Sequence, residues 1–354
     1  MSHHSRRGIL SKGAGGGAAS YYLAVAHTNS PYVTVYPWSV SGFGTKFANP
    51  ATLPTGQGYG VAFSPTGDAL AVSTFDNITW SSPLSVYRWS ASGFGAKFAD
   101  PATSPGFIGY NVAFTPSSSA IAVTTYSTPS LHAYAWSASG FGKKFANPAI
   151  SATVTNSGDV AFSPAGDAIA EATDGSPFII VYRWSASGFG TKFADPATLP
   201  NAATSVAFSP AGDAIAVTHS YAPYVTAYPW SASGFGTKFS DPTTLPAGSG
   251  IAVAFSPAGD AIAVAHSSAP YVTAYPWSAS GFGTKFANPA TLPAGNDAVA
   301  FSPAGDAIAV GQITSPYITV YPWSASGFGT KFANPATLPA GGNPVKVAFG
   351  AITS

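Results

Sequence analysis

The sequence predicts an all-β protein, a seven-bladed β-propeller with four antiparallel strands in each blade. Three observations lead to this prediction. A unit of about 47 residues occurs seven times, each unit carries four short β-type runs, and the two ends of the chain supply complementary parts of one unit. Four strands in a repeat of this length are typical of a propeller blade.

Two markers define the repeat, and each occurs once in every unit. The first is a tryptophan, found at Trp38, Trp89, Trp136, Trp184, Trp230, Trp277 and Trp323. The second is a Val-Ala-Phe triplet, which begins at Val61, Val112, Val160, Val206, Val253, Val299 and Val347. Neighbouring tryptophans are 46 to 51 residues apart. Both markers therefore count seven units.

The runs within a unit are typical of strands. In the unit that begins at Val253 they are VAFS, DAIAVAH, YVTAYPW and TKFA, separated by clusters of Gly, Pro, Ser and Asn. No helical periodicity persists, and proline interrupts the sequence often. Bulky residues such as Phe255 and Ile262 alternate with alanines. We therefore expect the bulky face of one blade to pack on the small face of its neighbour.

The chain ends indicate how the ring closes. Tyr21 begins a run equivalent to a second strand, whereas residues 345–354 are equivalent to a first strand. We therefore expect the C-terminal strand to join the first blade, in a propeller over residues 21–354. Residues 1–20 are predicted to be a flexible Gly-rich arm. Residues 5–12 also resemble a twin-arginine export signal, although the apolar segment of such a signal does not follow.

The segment VAFSPAGDAIAVAH, a strand, an SPxG turn and a second strand, resembles the WD-repeat and YVTN-type propeller superfamily. The resemblance covers residues 21–354 and implies the propeller fold. It also implies use mostly as a platform for other proteins, sometimes for glycans, and in a minority as an enzyme. WD repeats often have aspartate after the tryptophan, but Ser278 follows Trp277 here. The hydrogen-bond network built on that aspartate is therefore not carried over.

Composition excludes several classes of function. Charged residues make up 8% of the chain, against roughly 25% in ordinary globular proteins, and the formal net charge is +1. We therefore expect neither nucleic acid as a partner nor attraction to an anionic membrane. Cysteine is absent, which excludes disulfides and thiolate chemistry. No apolar run approaches the ~20 residues that span a bilayer, so membrane insertion is not expected.

Differences between the copies collect in the loops after the second strand and between blades, which should share one face of the ring. The SPAGDA and SASGFG turns are almost invariant and should lie on the opposite face. Loops on a rigid scaffold often carry binding groups, so we expect the variable face to recognise a ligand. Drift in unconstrained loops is the alternative. The candidate ligand-binding residues are His27, Asp76, Asn77, Trp80, Tyr126, Asp174, His219, Tyr221, His266 and Gln312.

Recurrent polar and aromatic residues have structural explanations. The aspartate after each SPxG turn, such as Asp260, fits capping of that turn. The repeated Trp and Tyr fit the core between blades better than sugar-stacking platforms. His27, His219 and His266 occupy blades spread around a ring, which does not suit a zinc site. We therefore predict no metal and no cofactor.

These patterns favour a non-catalytic binding or structural module, such as a surface-displayed attachment or virion-type protein. Its partner would be a protein or a surface glycan, with the N-terminal arm as an anchor. An extracellular or particle-surface location is favoured, and a cytoplasmic one is left open. A multivalent lectin is the alternative. An enzyme, less favoured, would use the unmatched acidic residues Asp76, Glu171 and Asp174, with Arg88 and Arg183 replacing a proline in two blades.

Removal of residues 345–354 is expected to destabilise the whole ring, because it removes the strand that closes the first blade. A loss of several kcal/mol in a large domain lowers the melting temperature by about 10 °C. Thermal unfolding followed by circular dichroism, with the full chain as control, measures this change. Equal melting temperatures would place the seam elsewhere.

Overall fold

The computed structural model describes residues 21–76, 84–106, 108–149, 157–295, 297–342 and 344–351. In these ranges 28 strands form seven four-stranded antiparallel sheets, which confirms the predicted seven-bladed propeller. Residues 1–20, the predicted arm, lie outside the described ranges. The described part of the chain contains no helix long and apolar enough to cross a membrane.

The strands are numbered in chain order, and blades 1 to 7 follow the tryptophans. The inner strands are β28 (Pro344–Ala351), β4 (Gln57–Phe63), β8 (Gly109–Phe114), β12 (Ser157–Phe162), β16 (Ala203–Phe208), β20 (Gly250–Phe255) and β24 (Ala298–Phe301). The second strands are β1 (Tyr21–His27), β5 (Ala69–Phe75), β9 (Ala120–Thr125), β13 (Ala168–Thr173), β17 (Ala214–His219), β21 (Ala261–His266) and β25 (Ala307–Gly311).

The third strands, which carry the tryptophans, are β2 (Val33–Ser39), β6 (Leu84–Ser90), β10 (Leu131–Ser137), β14 (Ile179–Ser185), β18 (Val225–Ser231), β22 (Val272–Ser278) and β26 (Ile318–Ser324). The outer strands are β3 (Gly42–Phe43), β7 (Gly93–Lys97), β11 (Gly140–Lys144), β15 (Gly188–Lys192), β19 (Gly234–Phe235), β23 (Gly281–Phe282) and β27 (Gly327–Phe328). Each sheet thus runs from the ring axis to the rim in chain order, except in blade 1.

The first blade is completed by the end of the chain, as predicted. Strand β28 pairs antiparallel with β1, so that Val347 lies opposite Val25 and Ala351 opposite Tyr21. Each inner strand is next to the inner strand of the following blade, and β28 lies between β24 and β4. The sheets therefore close into a ring without an open edge at the seam.

The outer strands differ from the prediction. The fourth strand begins at the Gly-Phe of the SGFG turn, where Phe282 pairs with Trp277, rather than at the TKFA run. It has five residues in blades 2 to 4 and two residues in the other four blades. Those four blades have proline before the tryptophan, as at Pro276. Proline has no N–H to donate, which shortens the pairing with the outer strand.

Bulky and small faces pack together at every joint, as the alternation predicts. At the joint of blades 5 and 6, Phe255 and Ile262 pack on Ala214 and Ala216. Seven such clusters of buried residues occur, one for each joint. Burial of apolar area between blades, at about 25 cal/mol per Å², is therefore what holds the ring.

Each of the seven tryptophans that mark the repeat lies in a cage of three phenylalanines. The Trp277 ring is 5.2 Å from Phe255 of the inner strand and 5.1 Å from Phe282 of the outer strand, measured between centroids. The third ring, Phe239, comes from blade 5 and lies 5.3 Å away. All three contacts are edge-to-face, the geometry that aromatic rings prefer. The cage therefore joins two blades, which confirms an inter-blade role for the recurrent aromatics.

The loops divide between the faces as predicted. His266 at the end of β21 pairs with Gly250 at the start of β20, so the variable loops share one face. The SPxG turn lies at the opposite end of these strands, where Ser256 Oγ donates to Asp260 Oδ1 at 2.6 Å. The Asp260 carboxylate therefore belongs to the turn, which also needs Gly259 at a φ of 71°.

Trp277→Ala is expected to destabilise the protein by about 3–5 kcal/mol, because it empties a cage that two blades share. Urea unfolding followed by far-UV circular dichroism measures the loss. Leu292→Ala, at a side chain that is 43% exposed, is the control and should change stability by about 0.5 kcal/mol or less. Equal effects of the two substitutions would contradict the cage as a principal support of the joint.

Candidate active site

A cavity of about 310 Å³ lies at the mouth of the central channel, on the variable face. The starts of the inner strands line it, together with residues that follow the second strands, such as Asp174 and Ser220. Its titratable lining residues are Tyr59, Tyr110, Asp159, Asp174, Asp297 and Lys346. The cavity therefore gathers charged and phenolic groups in a chain that is poor in charge.

Most of the lining residues occupy two inner positions at which the seven copies differ. The residue directly before the valine of Val-Ala-Phe is Gly60, Asn111, Asp159, Ser205, Ala252, Ala298 or Lys346. The residue before that one is Tyr59, Tyr110, Gly158, Thr204, Ile251, Asp297 or Val345. Ring closure brings these positions to one place from seven blades. The repeated residues thus form the blades, and the cavity is lined mainly by residues at positions that differ between the copies.

An ion pair crosses the channel between blades 4 and 1. Lys346 Nζ lies 2.9 Å from Asp159 Oδ2, and Ser205 Oγ donates to the same oxygen at 2.5 Å. Asp159 Oδ1 accepts the Val160 N–H at 2.9 Å. The Asp159 side chain is 8% exposed, whereas that of Lys346 is 25% exposed. The Asp159 side chain is therefore held in place by three contacts, and Lys346 keeps a face toward the cavity.

Asp297 supplies the cavity with a second kind of carboxyl group. It precedes β24 and is held by its own backbone N–H, which donates to Gly311 O at 2.9 Å. Burial raises the pKa of the Asp297 carboxyl to about 7, because an ionised group loses solvation there. A carboxyl with this pKa can both accept and release a proton at neutral pH.

Two tyrosines form one wall of the cavity. The rings of Tyr59 and Tyr110 meet edge-to-face, with centroids 6.2 Å apart. Burial raises the pKa of Tyr110, and the charges of Tyr126, Tyr59 and Asp174 raise it further. Burial also raises the pKa of Tyr59. Both hydroxyl groups therefore remain protonated at neutral pH and can donate hydrogen bonds.

Some of the predicted ligand-binding residues lie on or near this cavity. Asp174 lines it, and Tyr126 is close enough to Tyr110 to affect its pKa. Tyr126 is 50% exposed and Tyr221 is 66% exposed on the variable face. Asn77 and Trp80 lie outside the described residues. Ligand binding by the predicted set as a whole stays a prediction.

The acidic set proposed from sequence is not assembled in the cavity. Its described lining includes Asp174 but neither Asp76 nor Glu171. Asp76 is 6% exposed in blade 2, and Glu171 is 1% exposed on β13. Glu171 lies two residues after Ile169 on β13 and therefore on the same face of the strand, the face that packs between blades 3 and 4. Among the residues that the structure describes, no three His, Asp or Glu side chains are placed to hold a metal ion.

The predicted His and Gln candidates are buried beneath the loops. His27, His219, His266 and Gln312 have no exposed surface. His27 Nδ1 donates to Asn29 O at 2.7 Å, and its Nε2 lies 2.9 Å from Thr34 Oγ1. Burial lowers the pKa of His27 to about 4, so the ring is neutral. Shaping of the loops accounts for these contacts, and direct ligand binding by these four residues stays a prediction.

Of the titratable residues that line the cavity, only Asp174 was among the candidates predicted from sequence. Asp159, Asp297 and Lys346 come from blades 4, 7 and 1, and the chain separation between Asp159 and Lys346 is 187 residues. Comparison of the copies at the positions before Val-Ala-Phe would have found them, because these positions vary inside an otherwise regular strand. The variable loops do not include these positions.

No protein-family model matches the chain, and no curated protein matches it. Solved propeller structures do resemble it. One is a periplasmic gluconolactonase of Pseudomonas aeruginosa, with 17% identity and a TM-score of 0.70 over 95% of this chain and 100% of that one. Candidate 6-phosphogluconolactonases resemble it too, from Bacteroides uniformis (14% identity, TM-score 0.71, 94% and 99% covered) and Bacteroides fragilis (13%, 0.72, 94% and 98%).

These comparisons correct the predicted function. The sequence favoured a non-catalytic attachment or virion-type module with a lectin as the alternative, whereas these similar structures carry the names of enzymes. The comparisons therefore contradict the prediction that the protein is not an enzyme. That prediction rested on the loops and left out the inner positions. At 13–17% identity the likeness shows the seven-bladed fold alone, so an activity has to be argued from the cavity.

Lys346→Met is expected to lower the free energy of unfolding, because it leaves the Asp159 carboxylate buried without its cation. We expect a loss of about 2–3 kcal/mol, below the 3–5 kcal/mol of a fully buried pair, since Lys346 is 25% exposed. In the double variant Lys346→Met/Asp159→Asn the buried charge is gone, and most of the loss should be recovered. Urea unfolding of the two variants measures this, and a double variant as unstable as the single one would contradict it.

Proposed function

We propose that this propeller is a hydrolase that opens a small lactone or related ester in the cavity at the channel mouth. The observation that carries the proposal is the convergence there of Asp297, Lys346 and two tyrosine hydroxyls on non-repeated positions of a closed ring. A volume of about 310 Å³ is at the lower end for ligand sites, which suits a molecule with a single ring. The enzyme names of similar structures support the same class of reaction.

The groups present account for each proton in such a reaction. The Asp297 carboxylate accepts a proton from a water molecule as the water oxygen attacks the substrate carbonyl carbon. The carbonyl electron pair moves onto its oxygen, and the Lys346 ammonium or a tyrosine hydroxyl stabilises that charge. When the intermediate collapses, the carbon–oxygen bond of the ring breaks. The leaving oxygen then takes the proton from Asp297, which regenerates the carboxylate.

A finer relationship to the WD-repeat and YVTN-type superfamily is also a proposal. The recurrent strand, SPxG turn and second strand support it, as in the segment from Val253 to His266. Serine in place of aspartate after the tryptophan weakens the WD-repeat part of this relationship. The proposed reaction does not depend on either affiliation, because the residues that carry it lie at positions where the copies differ.

Asp297→Asn is expected to lower kcat/KM for hydrolysis of a small sugar lactone about 10²–10⁴-fold, because an amide cannot accept the proton. The rate of hydrolysis is measured as acid release in a pH-stat.

Burial raises the pKa of Asp297 from 3.8 to about 7, so its ionisation opposes folding as pH rises through that window. The asparagine variant should therefore be at least as stable at pH 7, and its unfolding curve checks this.

The control is Asp195→Asn, which removes an exposed carboxylate paired with Lys192 at 2.5 Å and should leave the rate unchanged. The pH profile of the unsubstituted protein gives an independent test. Because the base must be ionised, kcat/KM should fall as pH drops through about 7. Full activity of Asp297→Asn, or a rate independent of pH between 5 and 8, would contradict the assignment.

A further inference from the structure

Two arginines mark a recurrent guanidinium site on the outer, invariant side of the ring. Arg88 of blade 2 places its guanidinium carbon 4.5 Å from the centroid of Phe98, and Nη1 donates to Ala138 O of blade 3 at 3.2 Å. Arg183 of blade 4 is 4.3 Å from the Phe193 centroid and donates to Ala232 O of blade 5 at 3.2 Å. In both cases one arginine bridges two blades over an aromatic ring.

The aspartate of the SPxG turn completes this site. Burial raises the pKa of Asp68, but hydrogen bonds from Thr66 and Ser64 and the charge of Arg88 lower it overall. Arg88 is thus within electrostatic reach of Asp68. The Arg88 site therefore consists of an aromatic ring, a turn carbonyl of the next blade and a turn carboxylate.

The joint of blades 7 and 1 has the same partners without an arginine. The aromatic ring is Phe332, equivalent to Phe98, and the turn carboxylate is Asp306, equivalent to Asp68. The turn of the next blade contributes Val40 in place of Ala138, and Pro322 takes the position of Arg88. These four residues line a cavity of about 260 Å³ together with Trp38 and Ala307. Val40, which is 66% exposed, replaces the alanine of the other six blades. We call this cavity the seam groove.

The chain supplies an occupant at the right place. It has four arginines, of which two fill the sites just described and two, Arg6 and Arg7, lie in residues 1–20. Tyr21, where the described chain begins, pairs with Trp38 of the groove and packs in the same cluster as Phe332. Residues 8–20 separate Arg7 from Tyr21 and span about 20 Å on average or about 46 Å when extended. The arm therefore starts beside the seam groove and can return to it.

We propose that the seam groove binds a guanidinium group, supplied by Arg6 or Arg7 of the same chain. The guanidinium stacks on Phe332, donates to the carbonyl oxygen of Val40 and faces the Asp306 carboxylate. The arm thereby bridges blades 7 and 1 as Arg88 bridges blades 2 and 3. This proposal is independent of the hydrolase proposal, because the groove lies on the side of the ring opposite the cavity.

Electron spin resonance distances test the proposal in the full chain. The chain has no cysteine, so Ser5→Cys and Ala304→Cys place two spin labels, one on the arm and one on the SPxG turn beside Asp306. We expect a short, narrow distance distribution. Arg6→Ala/Arg7→Ala should broaden it and shift it to longer distances, whereas Lys12→Ala should leave it unchanged. A distribution unaffected by loss of both arginines overturns the proposal.

A substitution in the groove gives the complementary test. Pro322→Arg places an internal arginine over Phe332, as in blades 2 and 4, and should displace the arm and broaden the distribution. The matched control is Pro276→Arg, the same change one joint away, which should have no effect on the distribution. Equal effects of the two substitutions overturn the assignment to the seam. A short distance seen only between singly labelled chains mixed together also overturns it, because the occupant is then a second copy.

Discussion

The cage of three phenylalanines around each tryptophan is the contact on which the ring depends. Phe239 of one blade completes the cage of Trp277 in the next, so no blade can bury its tryptophan alone. The cage also explains the SGFG signature. A Cβ atom at Gly281 would lie 3.1 Å from Phe239 Cδ1, and this residue has a φ of 90°, so glycine suits both the space and the backbone. Packing at the joint between blades, rather than ligand binding, therefore explains the repeated motif.

The same constraint leaves the channel mouth free to vary. The joints require aromatic and branched residues on one face and alanines on the other, so mutation there is costly in every copy. The two positions before Val-Ala-Phe lie at the axis, beyond the cages. Glycine, tyrosine, aspartate and lysine each stand at one of these positions in different blades. A chain with 8% charged residues thus places Asp159, Asp297 and Lys346 in one cavity.

The fold could be predicted from the sequence because the features that determine it are local or periodic. The alternation of Ile262 with alanine predicted the faces, and the start at Tyr21 predicted the seam. The cavity was not predicted, because the pairing of Asp159 with Lys346 joins opposite sides of a closed ring. Ligand binding by the histidines stays a prediction. His27 is polar and next to a loop, as a ligand-binding residue would be, but both of its ring nitrogens are satisfied within the blade.

The seam is the joint at which the two ends of the chain meet, and this gives blade 1 a particular position. Strand β28 carries Lys346 into the cavity, and three residues later Phe349 reaches Trp38, with 5.9 Å between the rings. Trp38 also forms a wall of the seam groove on the opposite side. Packing on Trp38 therefore bears on the strand that holds the cation of the cavity. Blade 1 therefore contributes to both sides of the ring, with Lys346 in the cavity on one side and Trp38 in the seam groove on the other.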